Sequence, residues 1–393
     1  MCTWSNSQTA FDFSDTRIFK EGMKMSTKTE HKIALAFEDG ITKFIPCAED
    51  QTVADAAYQS KINIPFDCRD GACGTCKAFC ESGDFDEGEF VDDAMTQDEL
   101  DNGFCLPCQS KPRSDMVLQI RTTSVLAKTG PETFSAEVTK VGALSDTVFE
   151  LELEVEDRER LNFLPGQYVN ITVPGSTETR SYSFATGPEV EKIGFLIKNT
   201  PDGLMTNWLK DVAKVGDKLE FEGPMGSFFL REPLQPVLLL AGGTGLAPVM
   251  SIMESLANDE LLDVPVRLIY GANTSEDLVR LEEIAAYKDR IEDFDFFTVL
   301  SQEEGHERCG FVTDHMDPTE HLADGEADSY LCGPPPMVEA VRKYFDSHDT
   351  PPLNFYYEKF NANQQPGAAE AQAETGEQVA EKAERVAERW AYR

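Results

Sequence analysis

Seven of the chain's ten cysteines fall between Cys47 and Cys108, and three of them stand as Cys68-x4-Cys73-x2-Cys76, with Cys105 and Cys108 following later. Thiolates at this spacing suit a [2Fe–2S] cluster, in which one tight loop supplies three ligands and a distant segment supplies the fourth. Gly71 and Gly74 sit inside the loop and let the backbone fold around inorganic sulfide. From the residues alone, Cys105 and Cys108 compete for the fourth position. A structural zinc site is the bland alternative, but zinc favours paired short spacings from two separate hairpins, and the x4 gap departs from that. Cys2, Cys47, Cys80 and Cys309 carry no motif and read as small apolar residues.

Three further segments carry chemistry-bearing residues. In Arg180-Ser181-Tyr182-Ser183 a strand would place Arg180 and Tyr182 on one face and both serines on the other; a guanidinium can neutralise a phosphate and a phenol can lie against a ring system. Gly242-Gly243-Thr244-Gly245-Leu246-Ala247-Pro248 follows an apolar strand and opens a helix, where glycines permit close backbone approach to a dinucleotide phosphate. Cys332-Gly333-Pro334 and Glu358-Lys359-Phe360 each end a predicted strand.

The elements that must position these groups fall into successive regions. Residues 28–125 alternate in short stretches such as Ile33-Ala34-Leu35-Ala36-Phe37 around the cysteine cluster, and 122–131 reads as a polar linker. Residues 133–232 are all-β. Val148–Val155 puts Phe149, Leu151, Leu153 and Val155 on one face and Glu150, Glu152 and Glu154 on the other, and similar strands at 167–173, 180–184, 193–198 and 218–222 suggest a six-stranded antiparallel barrel. Residues 235–360 alternate strand and helix, with strands expected at 237–241, 266–270, 296–300, 330–332 and 354–357 and helices at 277–290 and 336–345. That alternation predicts a doubly wound parallel sheet with its ligand at the carboxyl ends of the strands. Residues 1–27 have no pattern, and Met25 offers an alternative start. Residues 361–393 form an acidic linker and a short helix capped at Thr375, with Val379, Ala383, Val386 and Trp390 on one face.

Taken together, these motifs resemble the ferredoxin–NADP reductase superfamily fused to an N-terminal plant-type ferredoxin domain. Arg-x-Tyr-Ser at Arg180–Ser183 resembles its flavin signature. Leu164-Pro165-Gly166-Gln167-Tyr168, Gly203-Leu204-Met205-Thr206-Asn207 and Gly223-Pro224-Met225-Gly226-Ser227-Phe228 resemble its flanking motifs in the same order, with Thr206 where Ser is more usual. Gly103-Phe104-Cys105-Leu106-Pro107-Cys108 resembles the ferredoxin segment that ends in the last ligand. The resemblance therefore implies Cys68, Cys73, Cys76 and Cys108 on the cluster and Cys105 buried. It implies FAD rather than FMN, with Arg180, Gly203 and Thr206 toward the pyrophosphate, Tyr182 against the isoalloxazine, Ser183 near the hydride-accepting nitrogen, and Lys198 among the cofactor-binding residues. It further implies Gly242, Gly243, Thr244, Gly245, Gly333 and Pro334 around NADH, Cys332 and Glu358 aligning the nicotinamide, and Phe360 stacked on the flavin. The fold class implied is a β-grasp ferredoxin domain, a β-barrel flavin domain and a parallel-sheet nicotinamide domain.

After the second strand of the last region, residues 272–277 offer carboxylates and no basic cluster. This favours NADH over NADPH and points to Asp277 on the cofactor; the plainer account is that Glu276 and Asp277 start a helix. The domain order is that of the reductase components of aromatic-ring dioxygenases, and the 354–360 ending looks most like the benzoate 1,2-dioxygenase reductase. The implied partner is a terminal Rieske-type dioxygenase that takes electrons from NADH by way of FAD and [2Fe–2S]. Reductases of diiron hydroxylases and of deoxysugar-forming systems share the order, and a redox sensor without turnover is the rival of a different class. The aromatic substrate would bind the oxygenase, so no residue here reads it.

Bulk properties agree with this reading. A net charge of −36 argues against nucleic acid. No apolar run nears the ~18 residues of a membrane span, and the opening residues do not read as a signal peptide, so a cytoplasmic location is expected. Nine acidic residues between Asp84 and Asp101 form either a solvated loop or a docking face for a basic partner.

Overall fold

A computed structural model describes residues 29–66, 68–348 and 351–360. The expected N-terminal extension and the C-terminal helix at 375–390 lie outside the described residues.

In the first domain, β1 (Glu30–Phe37) and β2 (Thr42–Ala48) form an antiparallel hairpin, followed by α1 (Val53–Gln59), β3 (Ala78–Ser82), β4 (Phe85–Asp86), α2 (Gln97–Asp101), β5 (Phe104–Cys105), β6 (Lys111–Pro112) and β7 (Met116–Ile120). The main sheet runs β2-β1-β7-β3-β5, with β7 parallel to β1. Ile33, Leu35 and Leu118 are fully buried under α1, whose Val53, Ala54, Ala56 and Ala57 complete the core. Both helices start on a threonine cap: Asp55 N–H donates to Thr52 Oγ1 at 3.3 Å, and Thr96 with Glu99 forms a reciprocal capping box.

The second domain contains β8 (Glu132–Ala143), β9 (Val148–Val155), β10 (Tyr168–Thr172), β11 (Thr179–Ser183), β12 (Lys192–Lys198), α3 (Leu204–Asp211) and β13 (Lys218–Met225). Its six strands are ordered β11-β10-β13-β8-β9-β12, and an antiparallel bridge from Phe184 to Phe195 joins the two ends into a barrel. The period-2 face of β9 points inward as expected, but Glu150 on the opposite face is also buried. The third domain covers that face, and Glu150 pairs there with Arg280 and, at 2.8 Å, with Lys140.

The third domain contains β14 (Val237–Gly242), α4 (Leu246–Ala257), β15 (Val266–Ala272), α5 (Leu281–Ala286), β16 (Phe294–Leu300), α6 (Pro318–Leu322), β17 (Asp328–Gly333), α7 (Pro335–Asp346) and β18 (Asn354–Lys359). The sheet is wholly parallel in the order β16-β15-β14-β17-β18. The helix expected over 277–290 is instead broken. A single 3-10 turn at Ser275–Asp277 precedes α5, and between them Arg280 takes a left-handed φ of 62°. From this break Arg280 reaches across the domain junction to pair with Glu150. Val148, Leu196 and Phe228 of the barrel share one apolar cluster with Leu246, Met250 and Tyr330 of the third domain, whereas the first domain keeps a core of its own. Among the described residues, no helix is long and apolar enough to cross a membrane.

Candidate functional site

The four expected ligand cysteines gather as two pairs. Cys73 is exposed, and hydrogen bonds from Thr75 and then Cys68 lower its thiol to about 6. Cys108 is likewise lowered to about 6, first by Cys76 and then by the backbone N–H of Gly71, against the cost of burial, while the bond to Cys108 and burial raise Cys76. Ala72 N–H donates to Cys68 Sγ at 3.4 Å. Among the described residues no three metal-ligating side chains share one point. Two thiolate pairs with amides aimed at sulfur fit a two-iron cluster, two ligands to each iron, better than one tetrahedral ion. Gly71 and Gly74 have φ of 74° and 68°, and any Cβ on Gly71 would strike the carbonyl of Glu89. The acidic segment is therefore packed directly on the cluster loop, with Val91 N–H donating to Gly71 O at 3.2 Å. Cys105 is fully buried, burial pushes its thiol up, and it takes no part in either cysteine pair.

At the barrel rim, β11 presents Arg180 and Tyr182. The guanidinium is partly exposed and held by Thr179 O at 2.7 Å and Glu178 at 3.3 Å; burial raises the Tyr182 phenol. Gly203 is the N-cap of α3 and supplies no side-chain cap, so the first amides of the helix have no partner within it, the condition an anion site requires. The Thr206 hydroxyl turns back into the preceding turn, accepting from Thr200 N–H at 3.3 Å and donating to Lys198 O at 3.5 Å. It thus shapes the turn, while its amide remains at the helix start. Lys198 ends β12 and is exposed.

The nicotinamide-side residues lie abreast at the carboxyl edge of the parallel sheet. Register pairs Ala241 with Cys332 and Cys332 with Glu358. Gly245 has to be glycine, because a Cβ there would run into the Cys332 carbonyl; Gly242 is walled by Pro334 and Met337, and Gly243 faces open space beside Thr244. Gly333 O accepts from Phe360 N–H at 3.0 Å, which anchors the half-buried Phe360. Asp277 is occupied locally: its carboxylate accepts from Thr274 N–H at 3.0 Å and from the Thr274 hydroxyl at 3.2 Å. Asp277 thus caps its own turn, and Glu276 is the exposed carboxylate of that loop.

Ser183, Cys332 and Glu358 come from two domains and meet. Burial pushes the Glu358 carboxyl up to about 8, and the Ser183 hydroxyl lies near enough to oppose that rise. Even so, Ser183 Oγ and Glu358 Oε2 are both buried without a completed hydrogen bond. Burial and then the charge of Glu358 also raise the Cys332 thiol. Two open buried polar groups at one point are rare in a folded protein and mark a place where a ligand edge completes them. The polar edge of a flavin or of a nicotinamide has the chemistry to complete them. Sequence reasoning missed two contributors. Tyr168, raised to about 12 by burial and then by Glu358, lies beside Gly226, and the space at Gly226 is bounded by the Tyr168 ring and by Glu358 Oε1 at 3.8 Å. Both residues stood in recognised motifs, but only folding shows that they reach Glu358.

Comparison with known proteins agrees with this geometry. Residues 36–113 match the 2Fe-2S iron-sulfur cluster binding domain, 135–230 the oxidoreductase FAD-binding domain and 239–343 the oxidoreductase NAD-binding domain. The toluate 1,2-dioxygenase electron transfer component of Pseudomonas putida is 45% identical over 335 residues, covering 85% of this chain and 99% of that protein. The 2-halobenzoate 1,2-dioxygenase electron transfer component of Burkholderia cepacia is 42% identical over 332 residues, covering 84% and 98%. Among solved structures, the Amycolatopsis cytochrome P450 reductase GcoB aligns with a TM-score of 0.55 at 31% identity, covering 84% of this chain and 98% of that one. The chain belongs to the ferredoxin-reductase family that includes electron transfer components of aromatic-ring-hydroxylating dioxygenases, and it is an oxidoreductase with 2Fe-2S, FAD-binding and NAD-binding domains in that order.

Proposed function

We propose that this protein oxidises NADH and delivers the electrons to a terminal Rieske-type dioxygenase acting on an aromatic carboxylic acid, with benzoate the expected substrate. The observation that carries the reading is the convergence of Ser183, Cys332 and Glu358 between the barrel and the parallel sheet, with Ser183 and Cys332 buried, Glu358 half-buried, and Ser183 Oγ and Glu358 Oε2 buried without a partner. When bound, the flavin supplies the conversion of a hydride into single electrons and the cluster carries them one at a time.

The chain's own residues do the rest. Arg180 and the amides that open α3 hold the pyrophosphate, with Lys198 at the rim. Tyr182 backs the isoalloxazine. Ser183 donates its hydroxyl toward the flavin edge, and Glu358 with Cys332 fixes the nicotinamide, so that rate comes from positioning two rings. The glycine turn at 242–245, with Gly333 and Pro334, would admit the dinucleotide phosphates, and Phe360 would lie beside the rings. Cys68, Cys73, Cys76 and Cys108 hold the cluster. Its loop and the acidic segment packed on it are exposed, which suits a partner presenting a basic patch.

The test is anaerobic mixing of the purified protein with NADH, followed by reconstitution with oxygenases. Flavin bleaching followed by cluster reduction, and turnover with a benzoate oxygenase, is the expected result. A flavin that stays oxidised would leave only a sensor, and turnover confined to a diiron hydroxylase would move the partner elsewhere.

A further inference from the structure

One buried ion pair lies outside the site described above and ties all three domains together. Glu81, at the end of β3 in the ferredoxin domain, meets Arg231 just beyond the barrel, with Nε–O and Nη2–O distances of 3.4 Å and side chains only 8% and 10% exposed. The guanidinium is sandwiched, 3.8 Å from the Phe229 ring centroid and 4.2 Å from that of Tyr356. Its remaining donors reach Ser227 O at 3.1 Å and Phe229 O at 2.7 Å, and its backbone N–H donates to Tyr330 Oη at 3.0 Å. Glu81 also accepts from Gln119.

A buried pair is weak evidence of stability in itself, because desolvation offsets much of the attraction. The best-attested use of such a pair is to select one arrangement over others. The arrangement here is specific. Tyr356 and Tyr330 stack at 5.0 Å and stand two residues before Glu358 and Cys332, so they share strand faces with those residues. At the other end of the same interface, Gly226 N–H donates to Gly40 O at 2.8 Å and Ile41 bridges Met225. Gln167, fully buried, donates to both Thr42 Oγ1 at 2.8 Å and Gly226 O at 3.0 Å. Gly226 itself borders Tyr168 and Glu358.

The docked turn also belongs to the cluster end of the ferredoxin sheet. Phe79 pairs with Gln119 and Phe37 with Ile120, so Ala78, two residues after Cys76, lies about two strand spacings (~10 Å) from the strand that leads into Gly40.

From this arrangement we propose that Arg231 and Glu81 are positioning residues, which hold the ferredoxin domain in the orientation where its cluster end receives electrons from the flavin side. This rests on hydride entry at Ser183 and Glu358, and the two readings fail in different assays.

The test uses the full-length holoprotein with Glu81→Gln and Arg231→Lys, alongside Gln119→Leu, which removes the second partner of Glu81 but leaves the pair. Docking is read by hydrogen exchange at residues 38–43 and 225–231. Electron flow is read by NADH–ferricyanide turnover for the flavin level and by rapid-freeze cluster reduction for the internal step. In Glu81→Gln, exchange in both segments should rise at least tenfold and cluster reduction should slow at least tenfold, while ferricyanide turnover stays within twofold. Arg231→Lys and Gln119→Leu should fall between this variant and the unmodified protein. The internal rate should also ignore salt between 0.05 and 0.5 M, since a buried pair is poorly screened. Cluster reduction within twofold of the unmodified protein, faster cluster reduction, or equal loss at both levels overturns the proposal. Loss of ferricyanide turnover in the unmodified protein would instead sink the hydride-entry reading.

Discussion

Replacing Glu358 by glutamine should make the protein more stable at alkaline pH, by an amount set by burial. The carboxyl rises from 4.5 to about 8, chiefly because its charge would be buried. Below about pH 4.5 both the folded and the unfolded chain hold the proton, so the group contributes no pH dependence there. Between 4.5 and 8 only the folded chain keeps it, and stability falls as pH rises through that window, levelling off above it. A shift of about 3.5 units at about 1.4 kcal/mol each sets a ceiling of about 5 kcal/mol. Glutamine carries no proton to lose, so the stability of Glu358→Gln relative to the unmodified protein should grow from pH 5 to pH 8.5 toward that ceiling. The assay is a pair of denaturant titrations at each pH, without NADH, in which the difference between the two proteins cancels the titration of every other group. A loss of the protonated-carboxyl infrared band between pH 6 and 9, present only when Glu358 is, gives an independent readout. A difference in stability that stays flat across this range would refute the account and would mean that Glu358 is ionised in the folded protein.

The remaining predictions concern the cluster and the sheet edge. Cys108→Ser should lose the visible absorption and iron of the cluster, whereas Cys105→Ser should retain both, since only Cys108 is paired with Cys76; equal iron loss in the two would reassign the fourth ligand. Gly245→Ala should destabilise the nicotinamide domain by about 1–3 kcal/mol and raise the KM for NADH, because the new methyl collides with the Cys332 carbonyl, as urea titration and steady-state kinetics would report. Ser183→Ala should slow flavin reduction in stopped flow by about 10-fold or more while FAD content is unchanged, the loss expected when one preorganised donor is removed.

The cysteine loop and the doubly wound sheet were legible because their signals are local: a ligand spacing, a β9 alternation, a glycine turn after an apolar strand. Glu150 and Arg280 were not legible. Alternation placed Glu150 on the polar face, and nothing near it in the chain announces that another domain covers that face or that Arg280, 130 residues on, pairs with it. The capping bonds of Asp277 were not legible either, because an acidic side chain that caps its own turn looks, in sequence, the same as one that faces a ribose. The meeting of Ser183 with Glu358 needed the family resemblance to be anticipated, and Tyr168 and Gly226 needed the fold itself.

The shared apolar cluster of the barrel and the parallel sheet bears on how such a chain can be taken apart. Separating those two pieces would bare Val148, Leu196 and Phe228 on one side and Leu246 and Met250 on the other. A cut within residues 128–131 leaves the ferredoxin interior, which includes Ala127, whole. Three parts by motif are thus two by packing, and the natural seam for exchanging one electron carrier for another lies ahead of Glu132.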